Sequence, residues 1–235
     1  MSGNIFKFKD ARLLTQWVRY LLYAQVFVAL LAISSNYMEY QLLMDYQSGA
    51  YSSEEQAIAD GDENDRRQLG VAGLYFVVFI VSGIMILKWI YRANFNARQL
   101  GATDMSFTPG WSIGYFFIPI FCIWKPYQAM NEIWQASHDP ENWSLSGFNS
   151  SISLWWLLWI VSNALGQMVY RLTDRAEELQ DFINLNMLAQ VSEVSTILLA
   201  FATLSVINTI YRAQTEALAR GEQQTYQGAQ QVVVG

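Results

Sequence analysis

Long runs without a charged residue constrain this chain more than any other feature of its sequence. The twenty residues of 68–87 contain no Asp, Glu, Lys or Arg, and neither do the twenty-nine residues of 142–170. An α-helix rises 1.5 Å per residue, so about twenty apolar residues cross the hydrocarbon core of a bilayer. Length and apolar density therefore predict four membrane-spanning helices, over 17–36, 71–90, 152–170 and 187–211.

The overall composition supports the same class of protein. Charged residues make up 14% of the chain and apolar residues 53%, whereas an ordinary soluble domain is roughly 25% charged. Helices buried in a large soluble bundle would each carry a polar stripe, and segments 76–81 and 154–161 contain no polar residue. The net charge of −6 argues against a nucleic acid as partner.

A fifth apolar run, 111–124, contains only fourteen residues and is broken by Pro119. Runs of 10 to 14 apolar residues are typical of re-entrant or interfacial segments. Re-entry places ten Lys and Arg on one side of the membrane and four on the other, whereas a full crossing gives nine and five. The positive-inside bias favours re-entry, and we expect 111–124 to be half-inserted.

An internal repeat gives a second argument about topology. Ile90-Tyr-Arg-Ala93 closes the second predicted span, and Ile210-Tyr-Arg-Ala213 closes the last. Two copies in one orientation need an even number of crossings between them, which again favours re-entry. The sequence therefore predicts a multi-pass protein of the bacterial inner membrane with both termini cytoplasmic, its membrane domain covering 1–220.

Three polar segments complete the predicted layout. Residues 37–69 are rich in Asp and Glu, and we expect an acidic extracytoplasmic loop. Residues 125–137 carry apolar side chains at helical spacing on one face, which predicts an amphipathic helix lying at the membrane interface. The Gln-rich segment 221–235 is expected to be a flexible tail. The predicted fold is thus an all-α membrane helix bundle with a half-inserted segment and an interfacial helix.

Polar residues inside predicted spans are candidate functional residues, because lipid makes them costly. Glu193 lies near the start of the last span, and Asn163 and Gln167 are four residues apart on the preceding one. Such a cluster could bind a cation or a polar solute. The alternative, which we favour, is hydrogen bonding that fastens neighbouring helices.

A second group of candidates lies between the second span and the predicted amphipathic helix. Arginines and amides directly follow the span, and aromatic side chains recur on the helix. These residues could contact lipid phosphates or a protein partner, although for the arginines we favour a role that only sets topology, since two arginines are too few for a polybasic site. The candidate contact residues are Arg92, Asn94, Asn96, Arg98, Lys125, Tyr127 and Trp134.

The sequence contains no recognisable catalytic signature. It has no Gly-rich phosphate loop and no Gly-x-Ser-x-Gly elbow, and with one His and one Cys the common nucleophile–base pairs can hardly be assembled. We therefore expect a protein that is not an enzyme and that needs neither a cofactor nor a metal ion.

Three stretches resemble a known family: Tyr91–Ala102, Phe107–Ile120 and Trp124–Ser137. They are similar to the bacterial family called domain of unknown function 4328, and the similarity continues more loosely to about residue 212. The resemblance implies a bacterial multi-pass membrane protein and no established activity. Residues 37–69 and the tail lie outside it.

Two functions from different classes remain open. The leading expectation is a non-enzymatic scaffold that interacts with membrane lipids or with protein, the protein being a different partner or further copies of the chain. The alternative is a small-solute or ion transporter or channel component, with 111–124 as its broken element and Glu193 as the ion-responsive group.

Overall fold

The computed structural model describes residues 8–145, 147 and 149–234, with side chains as far as Gln223. Throughout these residues the chain forms helices and turns without a strand, so the all-α prediction is confirmed. Three short 3₁₀ turns cover Tyr115–Phe117, Phe121–Ile123 and Trp143–Leu145. The α-helices in chain order are α1 (Arg12–Ser48), α2 (Glu54–Gln99), α3 (Trp111–Gly114), α4 (Lys125–His138), α5 (Ser150–Thr173) and α6 (Leu179–Val234).

Local sequence signals set the ends of the long helices. Gly49 follows α1 with a φ of +67°, a conformation that glycine adopts without steric cost. The hydroxyl of Ser53 accepts a hydrogen bond from the Gln56 backbone N–H at 3.2 Å and begins α2. The side chain of Asn149 accepts from Ser151 N–H at 2.7 Å at the start of α5. Each cap satisfies a donor that the first turn of a helix leaves unpaired.

In the described part of the chain, four helices are long and apolar enough to cross a membrane: α1, α2, α5 and α6. The most apolar stretch, in α2, has a mean hydropathy of 2.4, yet only 6% of it is buried inside the protein. Water is a poor solvent for such a surface, whereas hydrocarbon is a good one. These helices are those expected of an integral membrane protein with four spans.

The chain divides into two compact units, and the four long helices contribute residues to both. Unit 1 consists of Met1–Arg19, Gly83–Trp156 and Thr203–Gly235. Its described core contains large side chains that are nearly fully buried, and two of its tryptophans are anchored by threonines. Trp89 donates to Thr15 at 2.9 Å and Trp155 donates to Thr203 at 3.0 Å.

Unit 2 consists of Tyr20–Ser82 and Leu157–Ala202. Small side chains are prominent in its interior, where Ala29 and Ser82 are completely buried. Small residues let helices approach closely where lipid supplies no hydrophobic driving force between them. Hydroxyl groups add hydrogen bonds between helices, as at Ser162 of α5 and Ser195 of α6, whose oxygens are 2.6 Å apart.

The structure differs from the sequence-based layout in two polar segments. Residues 37–69 are helical except at 49–53, because α1 continues to Ser48 and α2 begins at Glu54. The tail is likewise an extension of α6, which continues to Val234. Charge and Gln content suggested loops, but Glu, Gln, Ala and Arg are also good helix formers, and a helix already formed extends cheaply.

The segment 111–124, named here the aromatic segment, is a succession of short elements. α3 and the turn Tyr115–Phe117 are followed by Ile118 in an extended conformation and then by the turn Phe121–Ile123. The chain therefore breaks where Pro119 was expected to break it. A continuous spanning helix is absent from 111–124, and its insertion into one leaflet stays a prediction.

The exposed apolar surface of α2 generates a prediction about insertion. Phe79 is 57% exposed in the apolar stretch, whereas Ile58 is 59% exposed in the acidic part of the same helix. Arg at the centre of a spanning helix costs about 3 kcal/mol, so Phe79→Arg should lower the equilibrium constant for insertion, measured in a membrane-insertion assay, by about a hundredfold. Ile58→Arg is the matched control, and equal insertion of the two variants would contradict the assignment.

Candidate functional site

Two buried amides organise the end of α2 in unit 1. Asn94 and Asn96 are completely buried. The Asn94 side chain donates to the Phe107 carbonyl at 2.9 Å, and Asn96 exchanges two hydrogen bonds with the backbone of Lys9, at 2.9 and 3.1 Å. Both amides thus form hydrogen bonds with backbone groups that lie outside the helices.

Arg98 holds the segment that follows α2. Its guanidinium donates to the side chain of Asn94 at 3.2 Å and to the carbonyls of Met105 and Phe107 at 3.0 and 2.9 Å. A guanidinium has five donors in a fixed plane, so one side chain can fix several acceptors at once. Arg98 therefore fixes the backbone of 105–107.

That backbone in turn binds Glu132 of α4. The Phe107 N–H donates to Glu132 Oε1 at 3.1 Å, and only 5% of the Glu132 residue is exposed. Burial raises the pKa of Glu132 above its ordinary value, and this effect is opposed by hydrogen bonds from Phe107 and Ser106 and by the charge of Arg98. The result is a buried carboxyl group oriented by a rigid frame.

A groove of about 330 Å³ opens beside this carboxyl group. We call it the α4 groove. The side chain of Trp143 closes one side of it by donating to the Thr103 carbonyl at 2.8 Å. Polar side chains of α4 and aromatic rings from three segments form its lining, which consists of Ser106, Phe107, Lys125, Tyr127, Gln128, Asn131, Glu132, Gln135 and Trp143.

One group in the α4 groove, the ammonium of Lys125, has hydrogen-bonding capacity that a ligand can reach. The side-chain oxygen of Asn131 also has no hydrogen-bond donor, but it is buried and therefore closed to a ligand in the groove, and an unpaired buried acceptor is costly. The ammonium of Lys125 donates to Gln128 at 3.1 Å and lies 5.5 Å from the centre of the Phe107 ring. An ammonium has three donors, so that of Lys125 can bind a further acceptor.

The apolar face of α4 packs against protein. The sequence correctly predicts a helix over 125–137, but Met130 and Ile133 from its apolar face are 2% and 0% exposed within the protein. The opposite, polar face lines the groove. Trp134 is half-buried and stacks against His138 with ring centres 4.1 Å apart, so it lies away from the groove lining.

The candidate contact residues predicted from the sequence have different places in unit 1. Lys125 and Tyr127 line the α4 groove, and Tyr127 also pairs with Ser153 at 3.1 Å. Arg92 donates to the Asp10 carbonyl at 3.0 Å. Asn94, Asn96 and Arg98 form the frame behind the groove. A contact of any of these residues with lipid or a partner protein stays a prediction.

Sequence reasoning did not select the groove residues Asn131 and Glu132, which looked like part of a solvated helix face. One signal was available. One face of α4 carries polar residues at helical spacing, namely Gln128, Asn131, Glu132 and Gln135. Such a polar face can be exposed to water or covered by another segment of the protein, and the periodicity does not distinguish the two. Only the path of 103–107 decides that the polar face is covered.

The internal repeat also has a structural counterpart. Ile90 and Ile210 are both nearly fully buried in unit 1. Each copy is followed by a buried amide, Asn94 after the first and Gln214 after the second. Gln214 donates to the Ala93 carbonyl at 2.8 Å and to the Ser137 hydroxyl at 2.9 Å. The repeat therefore marks two places where a helix is fastened by an amide.

In unit 2, the structure does not bring the three predicted intramembrane residues into one hydrogen-bonded cluster. Asn163 donates to the Trp159 carbonyl of its own helix, and Gln167 is exposed. One oxygen of Glu193 is buried without a hydrogen-bond partner. The α5 residue that reaches α6 here is Ser162, whose direction differs from that of Asn163 by about 100° around the helix.

A larger polar cluster in unit 2 centres on Glu39, which sequence reasoning placed at the edge of a loop. Its carboxylate accepts hydrogen bonds from Gln68 at 3.0 Å, Asn186 at 2.8 Å and Asn64 at 3.4 Å. The donors come from α2 and α6. The hydrogen bonds to this carboxylate come from the protein's own amides. The cluster therefore joins α1, α2 and α6 and needs no ligand.

Within the described residues, no group of three or more His, Cys, Asp or Glu side chains is arranged to hold a metal ion. The site that remains is the α4 groove, in a protein whose long helices are suited to a membrane. The class defined by fold and site is therefore an all-α, multi-pass membrane protein with a polar, aromatic-lined groove in one of its units.

Comparison with known proteins identifies the family. The pattern described as Domain of unknown function (DUF4328) matches residues 54–212, which is 159 of the 235 residues, and the chain belongs to this family. The match includes the groove and the frame behind it. It also covers 54–69, so the expectation that all of 37–69 lies outside the family was wrong for that part. Neither the curated proteins nor the solved structures contain a significant match.

The Glu39 cluster predicts a large effect on stability. Glu39→Leu leaves the amides of Gln68 and Asn186 without their acceptor, and hydrogen bonds to a charged group contribute about 1.5–3 kcal/mol each. We expect the free energy of unfolding in detergent to fall by about 3 kcal/mol or more. Glu63→Leu, at an exposed position of α2, should change it by less than about 0.5 kcal/mol, and similar losses in both variants would contradict the role of Glu39.

Proposed function

We propose that the protein is a non-enzymatic membrane scaffold that binds lipid through the aromatic segment and the α4 groove. The observation that carries the proposal is the adjacency of an exposed apolar surface and a polar groove. The aromatic segment ends at Trp124, and the next residue, Lys125, lines the groove. A lipid presents the same two chemistries, an apolar chain and a polar headgroup, side by side.

The exposed side of the aromatic segment is strongly apolar. Phe117 is 71% exposed, Ile120 is 67% exposed and Ile123 is 54% exposed. Contiguous exposed apolar surface is typical of a membrane or protein contact. Trp111 and Trp124 stand at the two ends of the segment and are also exposed, and tryptophan is enriched at the membrane–water interface.

The aromatic segment is also firmly held. The ring of Tyr115 lies 5.1 Å from Trp111 and 5.8 Å from Phe107, measured between ring centres. Trp156 donates to the Ile123 carbonyl at 3.0 Å. Phe107 belongs to the groove lining, so the rings connect the exposed surface to the groove. Ordered aromatic side chains lose little conformational entropy when they bind.

Backbone strain occurs at the tip of this segment. Ile120 has a φ of +70°, which for a β-branched residue is a genuine outlier. Such a conformation costs about 1–3 kcal/mol and is frequent at functional sites. Here the strain supports the proposal, because it presents an apolar side chain outward at the one turn where Pro119 has already interrupted the helix.

The proposed location is the bacterial inner membrane, with both termini and the groove on the cytoplasmic side. The distribution of Lys and Arg supports this orientation, since ten of the fourteen then lie on one side. A protein partner, or further copies of the chain, would bind to surfaces that lipid leaves free.

Photo-crosslinking tests the proposal. Benzoylphenylalanine at position 117 should form adducts with phospholipid in native membranes, because Phe117 is 71% exposed. Position 63, exposed in the acidic part of α2, is the control and should give few lipid adducts. Mass spectrometry of the adducts decides the result. Protein adducts alone at position 117, or no adducts there, would contradict lipid binding.

Transport is the second candidate function, and one observation favours it. Glu193 lies in a helix suited to span the membrane and has a buried oxygen without a hydrogen-bond partner. The hydroxyl of Tyr75, which is 3.5 Å from that of Thr196, is close enough to interact electrostatically with Glu193. Unpaired carboxyl groups in spanning helices are typical of ion and proton pathways.

Flux measurements separate the two functions. Under the scaffold proposal, proton and sodium flux into vesicles that contain the purified protein should equal that into protein-free vesicles. The Glu193→Gln variant should give the same result. Flux that is present in the native protein, retained in the exposed control Glu177→Gln and lost in Glu193→Gln would support transport instead.

A further inference from the structure

We propose that one exposed face of α5 is the contact surface between two copies of this chain in the membrane. We call it the amide face, and it consists of Asn163, Gly166, Gln167 and Tyr170. Successive residues of a helix are 100° apart, so these four lie within an arc of about 100°. The inference does not depend on lipid binding at the α4 groove, because none of the four residues lines that groove.

The two amides of this face have hydrogen-bonding capacity that the protein does not use. An amide side chain has two N–H donors and an oxygen that accepts. Asn163 donates once, to the Trp159 carbonyl of its own helix at 2.8 Å, and Gln167 has no hydrogen-bond partner among the described residues. Both side chains are exposed, so a neighbouring molecule can reach the groups that are left.

The amide face lies at a depth where lipid cannot satisfy it. α5 is long and apolar enough to span a membrane, and Asn163 is seven residues before the end of the span predicted over 152–170, a distance of about 10 Å. Hydrocarbon at that depth offers no hydrogen-bond partner, and lipid headgroups lie outside the hydrocarbon core. The partner of the two amides is therefore another helix.

Two polar side chains of other predicted spans show the contrast. Gln25 of α1 donates to the Ser82 hydroxyl of α2 and is thus satisfied within the protein. Thr209 of α6 is exposed, but a hydroxyl group has only one proton to donate, and Thr209 donates it to the Ser205 carbonyl at 2.9 Å. Thr209 therefore needs no partner although it faces outward, whereas the amide face does.

The chemistry of the amide face fits a second copy of the same face. An amide can donate to and accept from an identical amide, so a two-fold axis lets each residue pair with its own counterpart. A Cβ atom built on Gly166 would meet no atom within 4 Å, and an uncovered glycine lets a second helix approach closely. Beyond the face, the exposed Arg171 and Asp174 have opposite charges, so Arg171 can pair with Asp174 of the partner subunit.

Disulfide crosslinking locates the contact. In full-length protein whose single cysteine is removed by Cys122→Ser, we compare Gly166→Cys with Met168→Cys. The two positions have nearly the same depth and lie about 160° apart around α5, and Met168 is 51% exposed. In native membranes treated with copper phenanthroline, Gly166→Cys should give a dimer of the chain and Met168→Cys should not.

Three outcomes of this experiment would overturn the proposal. They are the absence of a product at position 166, equal crosslinking at both positions, and a product that mass spectrometry identifies as a conjugate with a different protein. A change of fold does not confuse the comparison, because each position is exposed and takes a small side chain.

Energy transfer between donor- and acceptor-labelled copies in liposomes measures the strength of association. A series of protein-to-lipid ratios gives the dissociation constant. The double variant Asn163→Leu with Gln167→Leu should raise it about tenfold, although the variant helix is more apolar. Asn163→Gln keeps an amide and should retain association. Gly166→Leu should raise the dissociation constant at least as much, because the added side chain would occupy the space of the second helix.

The matched controls are Thr209→Val, which removes an exposed hydroxyl from α6, and Gly73→Leu, which fills an equally open position of α2. Both should leave the dissociation constant unchanged, and all variants should unfold in detergent at the temperature of the native protein. A native protein without energy transfer, or equal constants for amide variants and controls, contradicts the inference. Lipid adducts at position 117 in a protein that proves monomeric would refute it and leave the proposed function intact.

Discussion

A polar group that is buried away from water must find its hydrogen-bond partner within the protein, whether lipid or packed protein excludes the water. This constraint accounts for most of the polar interior described here. Buried amides donate to backbone carbonyls, as Asn94 does to Phe107 and Gln214 to Ala93. Threonine hydroxyl groups accept hydrogen bonds from the indole N–H groups of Trp89 and Trp155. Where the partners are complete, the cluster fastens helices. Where a carboxyl oxygen in a helix suited to span the membrane has no partner, as at Glu193, the structure identifies a candidate for function.

The α4 groove shows how such fastening produces a site. Arg98 fixes the backbone of 105–107, that backbone orients Glu132, and Glu132 forms part of the groove lining. Arg98 does not line the groove itself. It orients the groove lining through the peptide groups of 105–107. The exposed rings and aliphatic side chains of the aromatic segment adjoin the same site through Phe107 and Lys125. A polar cavity with a rigid wall next to an apolar surface is the arrangement that a lipid headgroup and its chains require.

Part of this arrangement was predictable and part was not. The helix over 125–137 follows from its periodicity, and the break in 111–124 follows from Pro119. The roles of the two faces of α4 do not follow from periodicity, because an apolar face can lie against lipid or against protein, and Met130 and Ile133 lie against protein. The charged segment 37–69 was expected to be a loop, since charge indicates exposure to water. Exposure and helicity are independent, however, and α1 and α2 extend through most of it. Glu39 was overlooked for the same reason.

The sequence by itself determined that the long helices of this protein are suited to a membrane. The length and apolar density of its charge-free runs are those of helices suited to hydrocarbon, and these are properties of each segment alone. Its dense motifs between 91 and 137 also identified the family. Only the tertiary structure decided which polar residues meet. Glu132 and Phe107 are twenty-five residues apart, and Glu39 and Asn186 are one hundred and forty-seven apart. Hydrogen bonds act over about 3 Å, so the partners of a polar side chain depend on how distant segments pack, which the pattern of any one segment does not contain.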